Sequence, residues 1–358
     1  MKTALYDLHK KLGATFTNFM GYEMPLKYTS IQEEHLNVRH NVGIFDVSHM
    51  GKIFVKSSEE EINRVIVGDA RKIGEGQGNY TLLLDEKGNI IDDEVFFHLK
   101  DGFLFIPNAG MHEKIMGWFE KNGIEATDVT NEYSIIAIQG KYSAEVLNEL
   151  TSFDVNALKF FETAEIGDKM KIESDARIIV SRSGYTGEKG YELYINPAEE
   201  AVKIFEEALE KGKKYNIMPA GLGARDSLRL EKCFMLAGNE FEGGRNPYEV
   251  GLEWTIDWEH DFIGKDALVK AKDRIEEKLA YLECVDAGIP RHGNSVIKDG
   301  EKIGVVSSGG YSPCLKKGIA MAFVKKEFIE VGNTVEIEGR KKIKAKMIKP
   351  PFVRKGEC

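Results

Sequence analysis

Two adjacent carboxylates interrupt an apolar run in Asn89-Ile90-Ile91-Asp92-Asp93-Glu94-Val95. Neighbouring side chains on a strand point to opposite faces, so at most one of the pair enters a given pocket. Held in a partly buried cleft, that carboxylate could orient a proton or stabilise a cation in a transition state. If both flank a hairpin, they face water instead. Periodicity does not choose between Asp92 and Asp93. A second stretch, Ser181-Arg182-Ser183-Gly184-Tyr185-Thr186-Gly187-Glu188-Lys189-Gly190-Tyr191-Glu192, is a glycine-rich turn between two strands. It is either a plain hairpin loop or a loop offering an aromatic face, Tyr185, and an acidic acceptor, Glu192. A pterin ring needs both: a flat surface to stack on and a carboxylate for its amino and N3 donors. The third stretch, Pro219-Ala220-Gly221-Leu222-Gly223-Ala224-Arg225-Asp226, opens a helix with Arg225 in its first turn. An arginine there opposes the helix dipole, which points to an anion or a carboxylate as compensation. A surface salt bridge to Asp226 or Glu231 would serve the same end.

Other chemistries lack their residues. Gly74-Glu75-Gly76-Gln77-Gly78 misses the dinucleotide-loop spacing and leads into a strand, whereas that turn must open a helix. Gly221-Leu222-Gly223 does precede a helix, but Asp226 occupies the third glycine position. There is no Walker A sequence and no Gly-x-Ser-x-Gly elbow. His35 and His40 are five apart, roughly 140° around a helix, too far round to share a metal. His49 and His292 read as structural, and no metal site is expected.

The net charge is −9, which disfavours nucleic acid and anionic membranes as general partners. The basic run Lys341-Lys342-Ile343-Lys344-Ala345-Lys346 is either a local patch or a solvated strand face. Neither a secretory h-region nor an apolar run of membrane-spanning length is present. The four cysteines, Cys233, Cys284, Cys314 and Cys358, are scattered without a Cys-x-x-Cys pair. That spacing predicts reduced thiols and a cytoplasmic protein, and argues against a disulfide scaffold or zinc ribbon.

These residues need elements to hold them. Apolar spacing predicts helices over 31–41, 58–67, 111–121, 143–150, 198–210, 224–233 and 264–271. Ser58 with Glu61 resembles a capping box. A strand is predicted over 44–55, and 80–108 reads as an antiparallel meander broken at Asp85-Glu86-Lys87-Gly88 and Lys100-Asp101-Gly102. Further strands are predicted over 176–181, 191–195, 279–285, 302–308, 320–324, 334–338 and 343–348. Helices and antiparallel strands mix without a βαβ rhythm, so the class is α+β, and the strand-rich tail should be a barrel-like or jelly-roll domain.

Taken together the motifs resemble the aminomethyltransferase (T-protein) family of the glycine cleavage system, nearly from end to end. Gly21-Tyr22-Glu23-Met24-Pro25-Leu26 and Gly43-Ile44-Phe45-Asp46-Val47-Ser48-His49-Met50-Gly51 come first. Tyr80-Thr81, Ile91-Asp92-Asp93, Ser183-Gly184-Tyr185-Thr186-Gly187-Glu188 and Gly221-Leu222-Gly223-Ala224-Arg225-Asp226 follow in the family's order. Asn246-Pro247-Tyr248-Glu249-Val250-Gly251-Leu252 and Ser307-Ser308-Gly309-Gly310-Tyr311-Ser312-Pro313 complete it.

The resemblance implies a three-domain cloverleaf around a central folate channel. Residues 1–52 with 135–255 would form a discontinuous folate-binding domain, 53–134 an α+β domain with an antiparallel sheet, and 256–358 a β-rich barrel. It implies transfer of a one-carbon unit from an aminomethyl-lipoyl carrier, the H-protein, to the co-substrate tetrahydrofolate. The products would be methylenetetrahydrofolate, ammonia and the dihydrolipoyl carrier. By resemblance Asp93, the second Asp of its pair, lies close to folate N10. Tyr80, Asn108, Tyr185 and Glu192 surround the pterin, Arg225 sits beside the acidic residue, and Met50 is in the pocket wall. Arg354 falls near the benzoyl-glutamate end. Phe234 stands where a folate-contacting Tyr is common, which removes one hydroxyl.

Three competing functions share parts of this pattern. A folate-dependent demethylase would use the same scaffold without a lipoyl partner. A non-catalytic folate-binding relative that supports iron–sulfur cluster assembly typically carries Lys-Gly-Cys-Tyr-x-Gly, which is missing here. A folate module fused to a flavin dehydrogenase would need a dinucleotide domain.

Overall fold

Residues 134–139, Ser-Ile-Ile-Ala-Ile-Gln, are apolar without alternation, the signature of a strand covered on both faces. The computed structural model, which describes residues 1–339 and 341–358, places this strand inside a six-stranded sheet. The order runs Thr163–Glu165, Arg177–Ser181, Gly190–Asn196, Ser134–Gln139, Val42–Asp46, Ile217–Pro219. The last pair is parallel and the others antiparallel. Helices Ser143–Leu150 and Ala201–Gly212 contribute Val146, Leu147, Leu150, Ile204, Phe205 and Ala208 to the same core as Ile44, Ile136, Ile138, Ile178 and Leu193. Full burial of such a side chain is worth about 1.5–3 kcal/mol, so Leu147→Ala alone should cost about 2–5 kcal/mol.

A five-stranded sheet orders Gln77–Leu84, Ile90–Leu99, Gly102–Ile106, Ile53–Val55 and Ala126–Asp128. The expected strand over 44–55 is therefore two strands in two sheets. Asp46 accepts the backbone N–H of Ser48 at 2.9 Å, and that Asx turn ends the first strand. The helix expected over 58–67 keeps its Ser58–Glu61 capping box but stops at Asn63. Asn63 donates to Asp69 and accepts from the Ala70 N–H, both at 2.7 Å, so its amide serves the following turn rather than a longer helix.

The chain forms two compact units, Met1–Thr81 with Asp93–Arg225, and Leu82–Asp92 with Asp226–Cys358. In the second, Glu277–Cys284, Lys317–Lys325, Glu301–Ser312, Ser295–Lys298, Thr334–Glu338 and Lys342–Ile348 close into a six-stranded barrel, as the strand-rich tail led one to expect. Its last two strands alternate strictly, with Val335, Ile337, Ile343, Ala345 and Met347 inside. Lys342, Lys344 and Lys346 point outward opposite Glu338, Glu336 and Thr334, and Lys342 reaches Glu336 at 3.1 Å. The basic run is thus a solvated strand face, with Lys342 paired to Glu336.

Two cysteines correct the expectation of four reduced thiols. Cys314 and Cys358 are bonded, with Cα atoms 4.9 Å apart. They stand 44 residues apart in sequence, and only the return of residues 350–358 toward the turn at 313–316 brings them together. Cys233 and Cys284 are buried free thiols. Among the described residues no helix is long and apolar enough to cross a membrane.

Candidate active site

Asp93 sits on strand Ile90–Leu99, where burial alternates. Asp92 is fully buried, whereas Asp93 is partly open on the opposite face. Each carboxylate oxygen of Asp93 has its own donor: the Tyr80 hydroxyl at 2.6 Å on Oδ2 and the Asn108 amide at 2.7 Å on Oδ1. Asn108 also donates to the Asp93 backbone carbonyl at 2.9 Å. Donors on both oxygens fix the plane of the carboxylate. The residues come from three neighbouring segments, strands Gln77–Leu84 and Ile90–Leu99 and the loop after Gly102–Ile106.

Four residues along the same strand face, Phe97 meets Tyr194 edge-on with ring centroids 5.5 Å apart. Tyr194 is buried on strand Gly190–Asn196, two residues from Glu192. Glu192 Oε2 accepts from the Ser183 hydroxyl at 2.5 Å and the Tyr194 hydroxyl at 3.2 Å. Both of these bonds fall on the same oxygen, Oε2. The Tyr185 ring carries the Arg225 guanidinium 4.6 Å from its centroid. Desolvation lowers the Arg225 pKa, and the Glu192 carboxylate opposes that effect.

The glycine-rich loop is tied down by side chains on both sides. Gln139 donates to the carbonyls of Ser183 and Tyr191 and accepts from Thr186 at 2.9 Å, holding the loop from within. A Cβ on Gly184 would lie 2.0 Å from Gln139 Oε1, and one on Gly190 2.3 Å from its amide, so a side chain at either position would have to displace the Gln139 amide that holds the loop. Arg39 clamps the far side through the Thr186 carbonyl at 2.6 Å and Glu188 at 2.9 Å.

Met50 follows the Asx turn and is half-buried, its N–H donating to the Val47 carbonyl. Beside it His49 is buried with Nδ1 unpartnered; desolvation, with the charge of Arg225 nearby, pushes its pKa down to about 3. Lys52 is also fully buried and donates to the Ser48 carbonyl at 2.8 Å. Burial brings its pKa down to about 7. Phe234 and Arg354 belong to the second unit. Phe234 is 36% exposed, and its carbonyl accepts from the buried Arg229 at 3.1 Å. Arg354 is exposed, and its backbone N–H donates to Glu357.

Sequence reasoning did not single out Ser183, Tyr194, Gln139 or Lys52. Tyr194 had a signal: it shares a strand face with Glu192 at i, i+2. The others are defined by contacts 9 to 52 residues away, or by burial, which no local pattern encodes.

Residues 5–260 match the family model described as the GCVT N-terminal domain, and residues 278–354 the glycine cleavage T-protein C-terminal barrel domain. The chain is 39% identical to the aminomethyltransferase of Halothermothrix orenii, over 98% of this chain and 99% of that one. It is 40% identical to the aminomethyltransferase of Thermoanaerobacter pseudethanolicus, over 99% and 98% respectively. The crystal structure of glycine cleavage system aminomethyltransferase T from Bartonella henselae superposes with a TM-score of 0.90 at 31% identity, over 99% of this chain and 98% of that one.

Proposed function

The chain belongs to the glycine cleavage T-protein family and is an aminomethyltransferase, and we propose specific roles for the residues assembled above. The donor is an aminomethyl group on the lipoyl arm of a carrier protein, and the acceptor is tetrahydrofolate. The carbon–sulfur bond breaks, carbon bonds to the folate nitrogens, ammonia leaves and the carrier departs as a dihydrolipoyl dithiol. A cytoplasmic location goes with this reading.

The doubly held carboxylate of Asp93 carries the proposal. Fixed by Tyr80 and Asn108, it orients the folate N10 proton and stabilises positive charge on the reacting carbon. Glu192 Oε1 takes the pterin amino and N3 donors. Tyr185, backed by the Arg225 guanidinium, presents the aromatic surface, and Met50 lines the wall. Phe234 offers an apolar edge, and Arg354 pairs with the glutamate carboxylates. No metal takes part. The divisions 1–52 with 135–255, 53–134 and 256–358 accompany these roles, supported by how the strands of the two sheets and the barrel fall within them.

Supplying an aminomethylated lipoyl carrier, free lipoamide derivatives and methylated sulfonium or betaine compounds in parallel tests the donor. Ammonia and methylenetetrahydrofolate should form with the carrier and saturate in it. 5-Methyltetrahydrofolate from a methylated compound, with nothing from the carrier, would replace this reading by a demethylase.

A further inference from the structure

The segment 350–358 is pinned at two points within the second unit. Phe352 and Val353 are buried, the Val353 N–H donates to the Glu231 carbonyl at 3.1 Å, and Lys232 donates to the Val353 carbonyl at 3.0 Å. Four residues of exposed chain follow, closed by the bond from Cys358 to Cys314. Cys314 lies in the turn between strands Glu301–Ser312 and Lys317–Lys325. That turn is itself held, because Glu231 Oε1 accepts from the Ser312 hydroxyl at 2.5 Å and the Cys314 N–H at 3.2 Å. Arg354 falls between the two pins.

We infer that Cys314–Cys358 is a thiol–disulfide exchange site for dithiols, and that its reduction frees the strap carrying Arg354. The bond can open without disturbing the barrel core, since the segment is anchored independently through Phe352 and Val353. Cys358 is exposed and Cys314 half-buried, which directs attack to Cys358, and exposed disulfides are the labile ones. Cys233 and Cys284 do not compete: burial pushes their thiols up to about 12 and about 11, and both are enclosed.

The exchange balances as two displacements. A thiolate of the reductant attacks Cys358 Sγ, and Cys314 leaves as a thiolate and takes up a proton. The reductant's second thiol then attacks its own sulfur in the mixed disulfide, closing a cyclic disulfide and releasing the Cys358 thiol. Two electrons and two protons pass from the dithiol to the protein. A tethered second thiol resolves the intermediate at high effective concentration, which favours dithiols over monothiols. The reaction proposed above produces such a dithiol, the dihydrolipoyl arm. The consequence for folate rests on the role proposed for Arg354: a freed strap weakens the contact with the glutamate carboxylates.

The full chain, isolated without reductant and with thiols blocked on lysis, is treated with dihydrolipoamide or glutathione and then alkylated and weighed. Dihydrolipoamide should expose Cys314 and Cys358 at lower concentration than glutathione, leaving Cys233 and Cys284 unlabelled. Tryptic cleavage after Arg354 and Lys355 should rise roughly fivefold or more. Affinity for a tetrahydrofolate polyglutamate should fall about two- to fivefold, the worth of an exposed ion pair. Cys358→Ser should reproduce both changes and abolish the response to reductant. Free thiols at both positions even after exposure to oxidised lipoamide, or cleavage indifferent to reduction, would overturn the inference. Arg354→Ala in the oxidised protein separates the two readings. If it leaves affinity unchanged, the proposed role of Arg354 fails while mass and cleavage still decide the exchange site. If it weakens binding and reduction does not, the link between strap and folate is wrong.

Discussion

The Tyr80 hydroxyl donates to Asp93 Oδ2 at 2.6 Å, while the Asn108 amide occupies the other oxygen at 2.7 Å. That arrangement makes Asp93 a positioned carboxylate rather than a solvated one, although its neighbour Asp92 is the more deeply buried of the two.

Asp93→Asn should keep tetrahydrofolate affinity within a few-fold and lose about 100-fold or more in turnover, because the role proposed for it lies at the reacting centre. Tyr80→Phe leaves the carboxylate in place with one donor missing and should cost about tenfold. Calorimetric affinities compared with single-turnover rates distinguish the two effects. Unchanged turnover in Asp93→Asn, with loss in Asp92→Asn, would reverse the assignment.

Glu192→Gln should weaken folate binding by about 1.5–3 kcal/mol, the range for hydrogen bonds involving a charged group. Tyr194→Phe removes only the 3.2 Å anchor on Oε2 and should cost about 1 kcal/mol or less, with the Ser183 bond remaining. Titration of folate into each variant gives the comparison. An affinity for Glu192→Gln within twofold of the parent would mean the loop is only a connector.

Lys52 predicts a pH dependence of stability in a defined window. Its pKa falls from 10.5 to about 7 on folding, so between those values the unfolded chain binds more protons than the native one. Stability should therefore rise with pH from about 7 toward 10.5 through this group. Lys52→Met removes the titrating amine and should flatten that rise, read from urea midpoints at several pH values. His49, depressed from 6.5 to about 3, acts with the same sign in a separate acidic window.

Asp46 works from the other side of neutrality. Burial would raise its pKa, but hydrogen bonds from His9, Ser48 and Thr3 hold it down to about 2. Its stabilising contribution is present above the ordinary value of 3.8 and is lost as pH falls toward about 2. Asp46→Asn should lose stability at pH 7 and show a shallower acid transition by circular dichroism.

The local elements and the list of groups able to do chemistry were legible in the order of residues alone. The helices over 31–41, 143–150 and 264–271, the meander carrying Asp93 and the strand-rich tail all followed from apolar periodicity and turn residues, because these signals act within a few residues. Ordered motifs carried the family resemblance, and the matching domains and relatives support it. Tertiary structure alone decided where Asp92 and Asp93 point, since alternation separates two neighbours without saying which face is covered. It alone joined Ser183 and Tyr194 on one oxygen of Glu192, and split residues 44–55 between two sheets. It also paired Cys314 with Cys358, where spacing had suggested free thiols. In each case the outcome depends on contacts between segments distant in the chain, and no local pattern of residues encodes which distant segment arrives.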